Sequence, residues 1–487
     1  MNISLSGGFN MRTKTKITFY RGLDTIGGVI MEVRYGNSRA FFEAGTVFNP
    51  AFDMFKGQVN KRESLISDYI WLDDIPRIDG IYRKEDLMKN RTLKDIVSAE
   101  DYQIDHQAFF ITHLHLDHNG MMGMISPLVD IYLSRPAQTI EYALEDVDMG
   151  VEDIRGRKYL DIDDVTHIGD ITVRRFILND DSYQDYSFYI ETPDLKMHHP
   201  GDVFVYGKYG DNILKEVEYL KKQNVDILFC EGTRFSSDMD PDACRKNPLT
   251  PSFYPKKGMI TKQRLDERIK ETIRGYDGLI ILNYYEREMS DVKDFLSYAK
   301  DTGREIVFEP KSAHIINSFY HIPVNIIDMD FDIKDQQIKA QILKENHVVT
   351  KEEILKQPDH FIVQNTFENL FELFDYRHTK TLYLHHSGMP LGDYDPNMKK
   401  LMQMVELCQM DYSKTYFGED GYFSPHAENY QILAYIDMVQ PKLTVPEHTY
   451  NRKAMIANMT TPYFMAEEYV TYVYNSETNR LEEAENE

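Results

Sequence analysis

Four residues within one short segment, His113, His115, Asp117 and His118, carry side chains that bind divalent metal ions. They follow residues 108–112, a continuous apolar run that predicts a strand covered on both faces. In an extended loop, two histidines that are two residues apart can point into one cavity, while Asp117 and His118 turn to a neighbouring point. Imidazole and carboxylate ligands suit zinc or manganese, and two adjacent ions can bind an attacking hydroxide and a leaving oxygen together. The segment therefore predicts a two-ion site in a metal-dependent hydrolase.

The segments around this cluster predict a mixed α/β fold. A helix is expected over residues 120–128, directly after the metal cluster. Between about 240 and 410 the pattern changes to an alternation of strands and helices, which indicates a second α/β domain inserted into the first. Runs of apolar residues bounded by turn residues predict strands at 17–20, 30–33, 39–43, 171–178, 187–192, 227–230, 278–282, 304–308 and 442–445.

The composition is that of a globular protein without a membrane span. The chain has 487 residues, of which 42% are hydrophobic and 28% are charged, and its length favours two domains. Its longest apolar runs are far shorter than a membrane span, and residues 1–11 lack the features of a secretory signal. The 3 cysteines are spread singly, which argues against disulfides and zinc ribbons. We therefore expect a cytoplasmic protein with reduced cysteines and no membrane partner.

The charge balance limits which partners the surface can bind. Lys and Arg number 55 against 79 Asp and Glu, so the net charge is −24. This charge opposes nonspecific binding of a polyanion over most of the surface. A nucleic acid would have to enter a local cleft that is basic or lined with metal ions. The composition leaves the oligomeric state open, and a homo-oligomer is one of the states that it allows.

The metal cluster resembles the HxHxDH signature of the metallo-β-lactamase superfamily. Two later segments extend this resemblance. Gly201-Asp202 follows the predicted strand 187–192 and looks like the aspartate that bridges both ions in that family, and His448 is similar to the last metal-binding histidine. The resemblance implies an αββα sandwich that performs metal-dependent hydrolysis.

Further motifs resemble the β-CASP branch of the superfamily, and in particular the ribonuclease J-like proteins. Glu231 stands at the end of a predicted strand, like the acidic residue of the first β-CASP motif. Ser424-Pro425-His426-Ala427 resembles the second motif, SGHA, and His448 follows His426 by 22 positions. The resemblance implies a metallo-β-lactamase domain in residues 1–238, an inserted β-CASP α/β domain in 239–410, a return segment of the first domain in 411–475, and an acidic, frayed tail in 476–487.

The chemistry that this resemblance implies is hydrolysis of phosphodiester bonds in RNA or single-stranded DNA by a hydroxide activated between two divalent ions, zinc or manganese. The residues implied in catalysis are Asp117, Glu231 and His426. His426 would protonate the leaving group, and Glu231 would orient His426 and raise the pKa of its imidazolium. The residues implied as metal ligands are His113, His115, Asp117, His118, Asp181, Asp202 and His448.

The chain departs from the family pattern at the first metal site. The family has a third histidine in a stretch like DHS, whereas this chain has Asn179-Asp180-Asp181-Ser182. Asp181 is the better match, and a shift of one residue would favour Asp180. Because a carboxylate is a harder ligand than imidazole, three outcomes stay open: the first site prefers manganese or magnesium, binds weakly, or stands empty.

Residues that could contact substrate phosphate are weaker candidates. Ser387, Gly388 and Ser424 lie in turn-like segments whose hydroxyls or backbone amides could approach a phosphate. Pro425, where the family motif has glycine, removes one backbone donor there. Two other functions stay open on the same residues: a hydrolase of a small phosphoester or another ester, and a noncatalytic metal-binding protein.

Overall fold

The structure is a computed structural model that describes residues 13–47, 49, 63–151, 158–178, 185–205 and 209–485. Strands in these residues are β1 Lys16–Arg21, β2 Ile30–Tyr35, β3 Ser38–Phe42, β4 His106–Phe110, β5 Asp130–Leu133, β6 Leu160–Asp161, β7 Val165–Ile168, β8 Ile171–Ile177, β9 Tyr186–Glu191, β10 Lys196–His199, β11 Ile227–Glu231, β12 Leu279–Asn283, β13 Glu305–Phe308, β14 Asn325–Ile327, β15 His347–Val349, β16 Phe361–Gln364, β17 Thr381–His385, β18 Asp411–Lys414, β19 Phe417–Gly418, β20 Gly421–Tyr422, β21 Leu443–Glu447, β22 Thr471–Asn475 and β23 Arg480–Glu483.

The helices of the same residues are α1 Leu65–Trp71, α2 Lys84–Met88, α3 Leu116–Asn119, α4 Arg135–Asp146, α5 Tyr209–Gln223, α6 Pro241–Lys246, α7 Lys262–Gly275, α8 Met289–Thr302, α9 Pro310–Tyr320, α10 Gln336–Glu345, α11 Lys351–Lys356, α12 Asn397–Leu407, α13 Asn429–Val439 and α14 Arg452–Asn458. Short 3₁₀ segments occupy Arg91–Leu93, Met122–Met124, Pro358–His360 and Phe367–Tyr376. Among the described residues, no helix combines the length and the hydrophobicity that crossing a membrane requires.

Two mixed sheets pack face to face around one core. The first sheet has the order β23-β22-β1-β2-β3-β4-β5-β6, and the second has the order β21-β11-β10-β9-β8-β7. Alternate side chains of both sheets point inward, as the two-residue period of a strand requires. Phe42 and Phe110 of the first sheet meet Phe188 of the second in this core.

A third sheet is formed by the middle of the chain, between β11 and β21. Its order is β15-β14-β13-β16-β12-β17-β18, and its strand pairs are parallel. Every residue of β12 is buried, and Ile280 and Ile281 belong to cores on opposite faces of the sheet. Helices that connect parallel strands cover both faces, which explains why these strands read as continuous apolar runs. We call the residues from α7 to β18 the inserted unit.

The expected strands are present, and three local expectations need correction. Residues 120–128 were expected to form one helix, and this prediction is wrong. The helix α3 ends at Asn119, and residues 120–128 contain only the short 3₁₀ segment Met122–Met124. The inserted unit continues past the expected boundary at 410, since β18 pairs with β17. Residues 476–487 were expected to be frayed, but β23 pairs with β22 and extends the first sheet. The α/β class expected from the sequence is the class of the fold.

Candidate metal centre

The candidate ligands lie where strands of both sheets end. His113 and His115 follow β4 of the first sheet. In the second sheet, β10, β11 and β21 are parallel neighbours, and the segments after their carboxyl ends carry Asp202 and His448, while β11 itself ends at Glu231. Carboxyl ends of parallel neighbours meet at one edge of a sheet, so these residues converge although the chain separates them widely.

The backbone of the metal cluster is held by a close approach of two glycine-containing segments. The Gly28 amide donates to the Asp117 carbonyl oxygen at 2.8 Å, and the Thr46 amide donates to the Leu116 carbonyl oxygen at 3.1 Å. A Cβ on Gly45 would lie 2.5 Å from the Asp117 carbonyl carbon. Position 45 therefore requires glycine, because a larger residue would collide with the backbone of Asp117. The close approach holds Asp117 next to the first sheet.

The candidate ligands form two neighbouring groups that Asp202 connects. His113, His115 and Asp202 make one group, and Asp117, His118 and His448 make the other, with the ligand atoms of each group within 4.8 Å of one another. Asp202 Oδ2 lies 3.6 Å from His113 Nε2, and Asp202 Oδ1 lies 3.3 Å from His118 Nε2. The two oxygens of one carboxylate therefore face histidines of both groups.

The donor atoms of these groups fit metal ions. His113, His118 and Asp202 are 3%, 1% and 2% exposed. His113 Nε2, His118 Nε2 and both Asp202 carboxylate oxygens make no hydrogen bond within the described part of the chain. Buried polar atoms without such a partner are costly, and coordination of a cation would satisfy these four together. Each group could hold a metal ion.

The pKa of Asp202 agrees with a role as an anionic ligand. Burial opposes its ionisation, but the charges on His118 and His426 hold its pKa well below its usual range. A carboxyl group that stays ionised when buried is ready to bind a cation without first losing a proton.

The outer ring nitrogens of the histidines are held by hydroxyl and carboxylate groups. Thr112 Oγ lies 2.9 Å from His113 Nδ1, and Thr233 Oγ lies 2.9 Å from His448 Nδ1. His118 Nδ1 lies 3.4 Å from Glu43 Oε1. These contacts leave the Nε2 atoms of the three rings to face the ion sites, as in metal centres whose ligands are oriented by outer partners.

Glu43 was missed by sequence reasoning. It is fully buried directly after β3, and it accepts a hydrogen bond from the Thr112 hydroxyl at 2.5 Å. Burial raises its pKa, but hydrogen bonds and charge interactions with His118 and His199 lower it overall, to about 2. An acidic residue at the end of an apolar strand is the same signal that singled out Glu231, and that signal could have identified it.

A third group joins Asp202 with the expected catalytic residues Glu231 and His426. His426 Nδ1 lies 3.4 Å from Asp202 Oδ2. Glu231 accepts hydrogen bonds from the Val203 amide at 2.7 Å and from the Thr233 hydroxyl at 2.5 Å. Burial and then the charge of Asp202 raise the pKa of Glu231. Glu231 and His426 thus lie in one group, with ligand atoms within 4.8 Å of one another, and the orientation of His426 by Glu231 stays a prediction. Glu231 also holds the loops that carry Val203 and Thr233, and Asp202 is a second carboxylate against His426.

The residues expected to bind phosphate have partners inside the protein. The Ser424 hydroxyl donates to the His426 carbonyl oxygen at 2.7 Å and so holds the loop of His426. The Ser387 hydroxyl donates to Asp291 at 2.5 Å, and the Gly388 carbonyl oxygen lies 2.9 Å from His385 Nε2. The expected ligand Asp181 and its alternative Asp180 lie outside the described residues.

A second carboxylate that the sequence did not indicate contacts the first group. Glu288 Oε1 lies 2.6 Å from His115 Nε2. Glu288 comes from the inserted unit, directly before α8, and is separated from His115 by 173 positions. No local pattern around Glu288 could have assigned it to this site.

No protein-family model and no curated protein matches the chain. Among solved structures, the chain is similar to the crystal structure of a protein of unknown function from Enterococcus faecalis V583. The TM-score is 0.71 at 22% sequence identity, and the match covers 94% of this chain and 100% of the other. At this level of identity the likeness establishes a shared fold over almost the whole chain and carries no function.

Proposed function

We propose that the protein is a metal-dependent hydrolase of the metallo-β-lactamase superfamily, in its ribonuclease J-like β-CASP branch, and that it cleaves phosphodiester bonds of RNA or single-stranded DNA. The observation that carries this proposal is the position of the buried Asp202 at the junction of the two ligand groups, with one carboxylate oxygen toward His113 and the other toward His118. Asp202 could therefore contribute to the binding of an ion in each group, and two neighbouring divalent ions would supply the chemistry for hydrolysis of phosphate esters.

The proposed fold is an αββα sandwich with an inserted β-CASP domain. Three features support it. The first two sheets share one core. Helices α5 and α13 cover the outer face of the second sheet, and α4 covers the outer face of the first. The inserted unit enters after β11 and leaves before β21, two neighbouring strands of the second sheet.

In the proposed mechanism, two divalent ions, zinc or manganese, would provide Lewis acidity at the phosphate and lower the pKa of water. His113, His115 and Asp202 would hold one ion, and Asp117, His118 and His448 would hold the other, with Asp202 as a further ligand because its Oδ1 faces His118. Glu43, Thr112 and Thr233 contact the Nδ1 atoms of His118, His113 and His448, so the Nε2 atoms of these imidazoles are the ones that would bind the ions.

His426 is the proposed proton donor to the leaving oxygen. Its side chain is 27% exposed, whereas Asp202 beside it is 1% exposed, so the imidazole can reach a substrate at the surface of the site. The Ser424 hydroxyl fixes the backbone of His426 from within the same loop. His426 Nδ1 faces Asp202 Oδ2 at 3.4 Å, a charge contact without a hydrogen bond, and Nε2 is the atom that would donate the proton.

A small phosphoester is the second candidate substrate, and the charge distribution favours it. The net charge of −24 repels a polyanion. Arg287 and Arg234 do not offset this locally, because they pair with Glu141 and Glu428 at 2.7 Å and 3.0 Å. A substrate with one phosphate would avoid most of this repulsion.

Cleavage assays with protein loaded with manganese or zinc test the proposal. We expect wild-type protein to cut RNA or single-stranded DNA labelled at the 5′ or 3′ end. We expect the cleavage rate of Asp202→Asn, purified identically, to fall at least about 1000-fold, because the carboxylate that faces both ligand groups is removed. The two label positions separate exonuclease from endonuclease activity.

Three outcomes would change the conclusion. Turnover of a chromogenic phosphodiester without cleavage of polymers would select the small-substrate hydrolase. Equal activity of wild type and Asp202→Asn would identify a contaminating nuclease and contradict the proposal. At most one ion per chain by elemental analysis, with no turnover of any diester, would favour a noncatalytic metal-binding protein.

A further inference from the structure

Glu288 of the inserted unit makes a short hydrogen bond with one of the candidate metal ligands. Its Oε1 atom lies 2.6 Å from His115 Nε2, and the side chains of Glu288 and His115 are 21% and 26% exposed. Its other oxygen, Oε2, accepts a hydrogen bond from the Ser290 hydroxyl at 3.4 Å. Glu288 precedes the first residue of α8 and makes no capping hydrogen bond to that helix. Its carboxylate is therefore turned to His115, at the mouth of the site.

The neighbouring residue anchors this segment to the first sheet's side of the molecule. Arg287 Nη1 lies 2.7 Å from Glu141 of α4, with the two side chains 5% and 0% exposed. Arg287 Nη2 also donates to the Met149 carbonyl oxygen at 3.1 Å. Removal of either partner of a buried ion pair leaves an uncompensated charge, so the pair strongly favours one position of the segment. Glu288 is thereby held next to His115 before any metal ion binds.

This contact determines which nitrogen of His115 can bind an ion. The two ring nitrogens of an imidazole are distinct, and a hydrogen bond made by one of them decides that the other binds the metal. Glu288 engages Nε2, so Nδ1 is the nitrogen of His115 that is left for an ion. His115 belongs to the first group together with His113 and Asp202, so this ion would be the first one.

The other three histidines of the centre show the same division of roles with the nitrogens exchanged. Hydroxyl or carboxylate groups contact their Nδ1 atoms, at 2.9 Å in His113 and His448 and at 3.4 Å in His118. Their Nε2 atoms are left for the ions. The outer partners of these three rings belong to the two-sheet part, whereas the outer partner of His115 comes from the inserted unit.

We propose that Glu288 is the positioning residue of His115: it accepts a hydrogen bond from Nε2–H and so directs Nδ1 to the first metal ion. This inference rests on the proposed two-ion site. A carboxylate behind a metal-binding imidazole fixes the tautomer and the ring orientation, and it makes the binding nitrogen more basic. Because Glu288 belongs to the inserted unit, the first site is fully ordered only when that unit is held against α4.

Measurements of metal binding by the full-length protein test the inference without any activity measurement. Long-range proton–nitrogen NMR of the zinc-loaded protein shows which ring nitrogen of each histidine binds zinc, because the two nitrogens couple to different ring protons. Chelator competition gives the affinity of each ion, and the absorption spectrum at saturating cobalt reports the number of donor atoms. Glu288→Gln keeps a hydrogen-bond acceptor without the charge, and Glu288→Leu removes both. The same two changes at Glu286, a half-buried carboxylate of the same segment, are the matched controls.

We expect wild type and the Glu286 variants to bind two ions, with zinc on Nδ1 of His115 and on Nε2 of His113. Glu288→Leu should bind the first ion about 10–100-fold more weakly, the usual cost of losing an outer partner, and the second ion unchanged. Glu288→Gln should lose less, because it still accepts the hydrogen bond.

Two spectroscopic results distinguish a positioning residue from a ligand and from a merely structural residue. At saturating cobalt, both Glu288 variants should keep the wild-type number of donor atoms at each ion, because an outer partner contributes none. In zinc-loaded Glu288→Leu, His115 should lose the single pattern of binding through Nδ1, because nothing then fixes its tautomer. Equal thermal melting of the metal-free proteins would show that the variants fold.

The outcomes separate this inference from the proposed function. Zinc on Nε2 of His115 in wild type, or wild-type affinity of Glu288→Leu for both ions, would overturn the inference and leave the two-ion hydrolase standing. Fewer donor atoms in Glu288→Gln would overturn it by making Glu288 a ligand, and tighter binding by Glu288→Leu would do so by making it a competitor for His115. Wild-type protein that binds one ion overturns the inference, and wild-type protein that binds none overturns the proposed function as well.

Discussion

Substitution of Gly45 by alanine tests whether the metal cluster depends on the close approach of two backbone segments. The new Cβ would lie 2.5 Å from the Asp117 carbonyl carbon and 3.0 Å from the Gly28 nitrogen. Both neighbours are backbone atoms, so no flexible side chain can move away. Since carbon atoms pack at about 3.5–4.0 Å, the segments must separate by roughly 1 Å.

The energetic cost of Gly45→Ala follows from this displacement. Overpacking of a tightly packed site costs about 1–3 kcal/mol, and a weakened hydrogen bond between Gly28 and Asp117 adds about 1 kcal/mol. We therefore expect a loss of about 2–4 kcal/mol in the free energy of unfolding of the two-sheet part. Metal sites tolerate errors of only about 0.2 Å, so a shift of Asp117 should also weaken binding to the second group at least about tenfold.

Calorimetric melting in the presence of a chelator measures the stability, and chelator competition measures the metal affinity. Gly275→Ala is the matched control, because Gly275 is the exposed last residue of α7 and a Cβ there meets nothing within 4 Å. The control should lose no stability, since alanine is the better helix former. If Gly45→Ala melts with the control and binds both ions like wild type, the reasoning from close approach is refuted.

Two further substitutions test contacts around the site. Arg287→Met should destabilise the protein by about 3–5 kcal/mol, because it leaves Glu141 buried without its cation. The double variant Arg287→Met/Glu141→Gln should recover part of this loss. Urea denaturation measures the stability of both variants, and an unchanged unfolding transition in Arg287→Met would show that the pair is not buried in solution. Glu43→Gln retains a hydrogen-bond acceptor for Thr112 but removes the negative charge beside His118. It should therefore weaken metal binding about 10–100-fold, as measured by chelator competition. A metal affinity equal to that of wild type would exclude Glu43 as an orienting partner of His118.

Local sequence signals were sufficient for the ligands that follow strands. The apolar run before His113 predicted β4, and the apolar runs before Glu231 and His448 predicted β11 and β21. Each of these signals lies in neighbouring residues of the chain, because a buried strand requires a short run of apolar side chains. The existence of these strands and the positions of these residues at their ends could therefore be predicted.

Partners that depend on packing between distant segments could not be predicted in the same way. The sequence suggested that Glu231 orients His426, and the structure places both in one group with Asp202. Only the order of β10, β11 and β21 shows that Glu231 also has the Val203 amide and the Thr233 hydroxyl as partners. Hydrophobic periodicity determines which face of a strand is buried, but not which loop lies beside its end. The pairing of catalytic residues was for this reason a tertiary question.

The sequence by itself determined the ligand types of the metal cluster, the α/β class and the presence of an inserted segment, because each is encoded in short-range spacing. Only the tertiary structure decided that Asp202 faces both groups, that Glu43 supports His118, and that Glu288 reaches His115 across 173 positions. Contacts between residues so far apart in the sequence arise from the packing of whole sheets and of the inserted unit. This packing, and not the single contact, offsets the entropy that is lost when the intervening chain is closed into a loop.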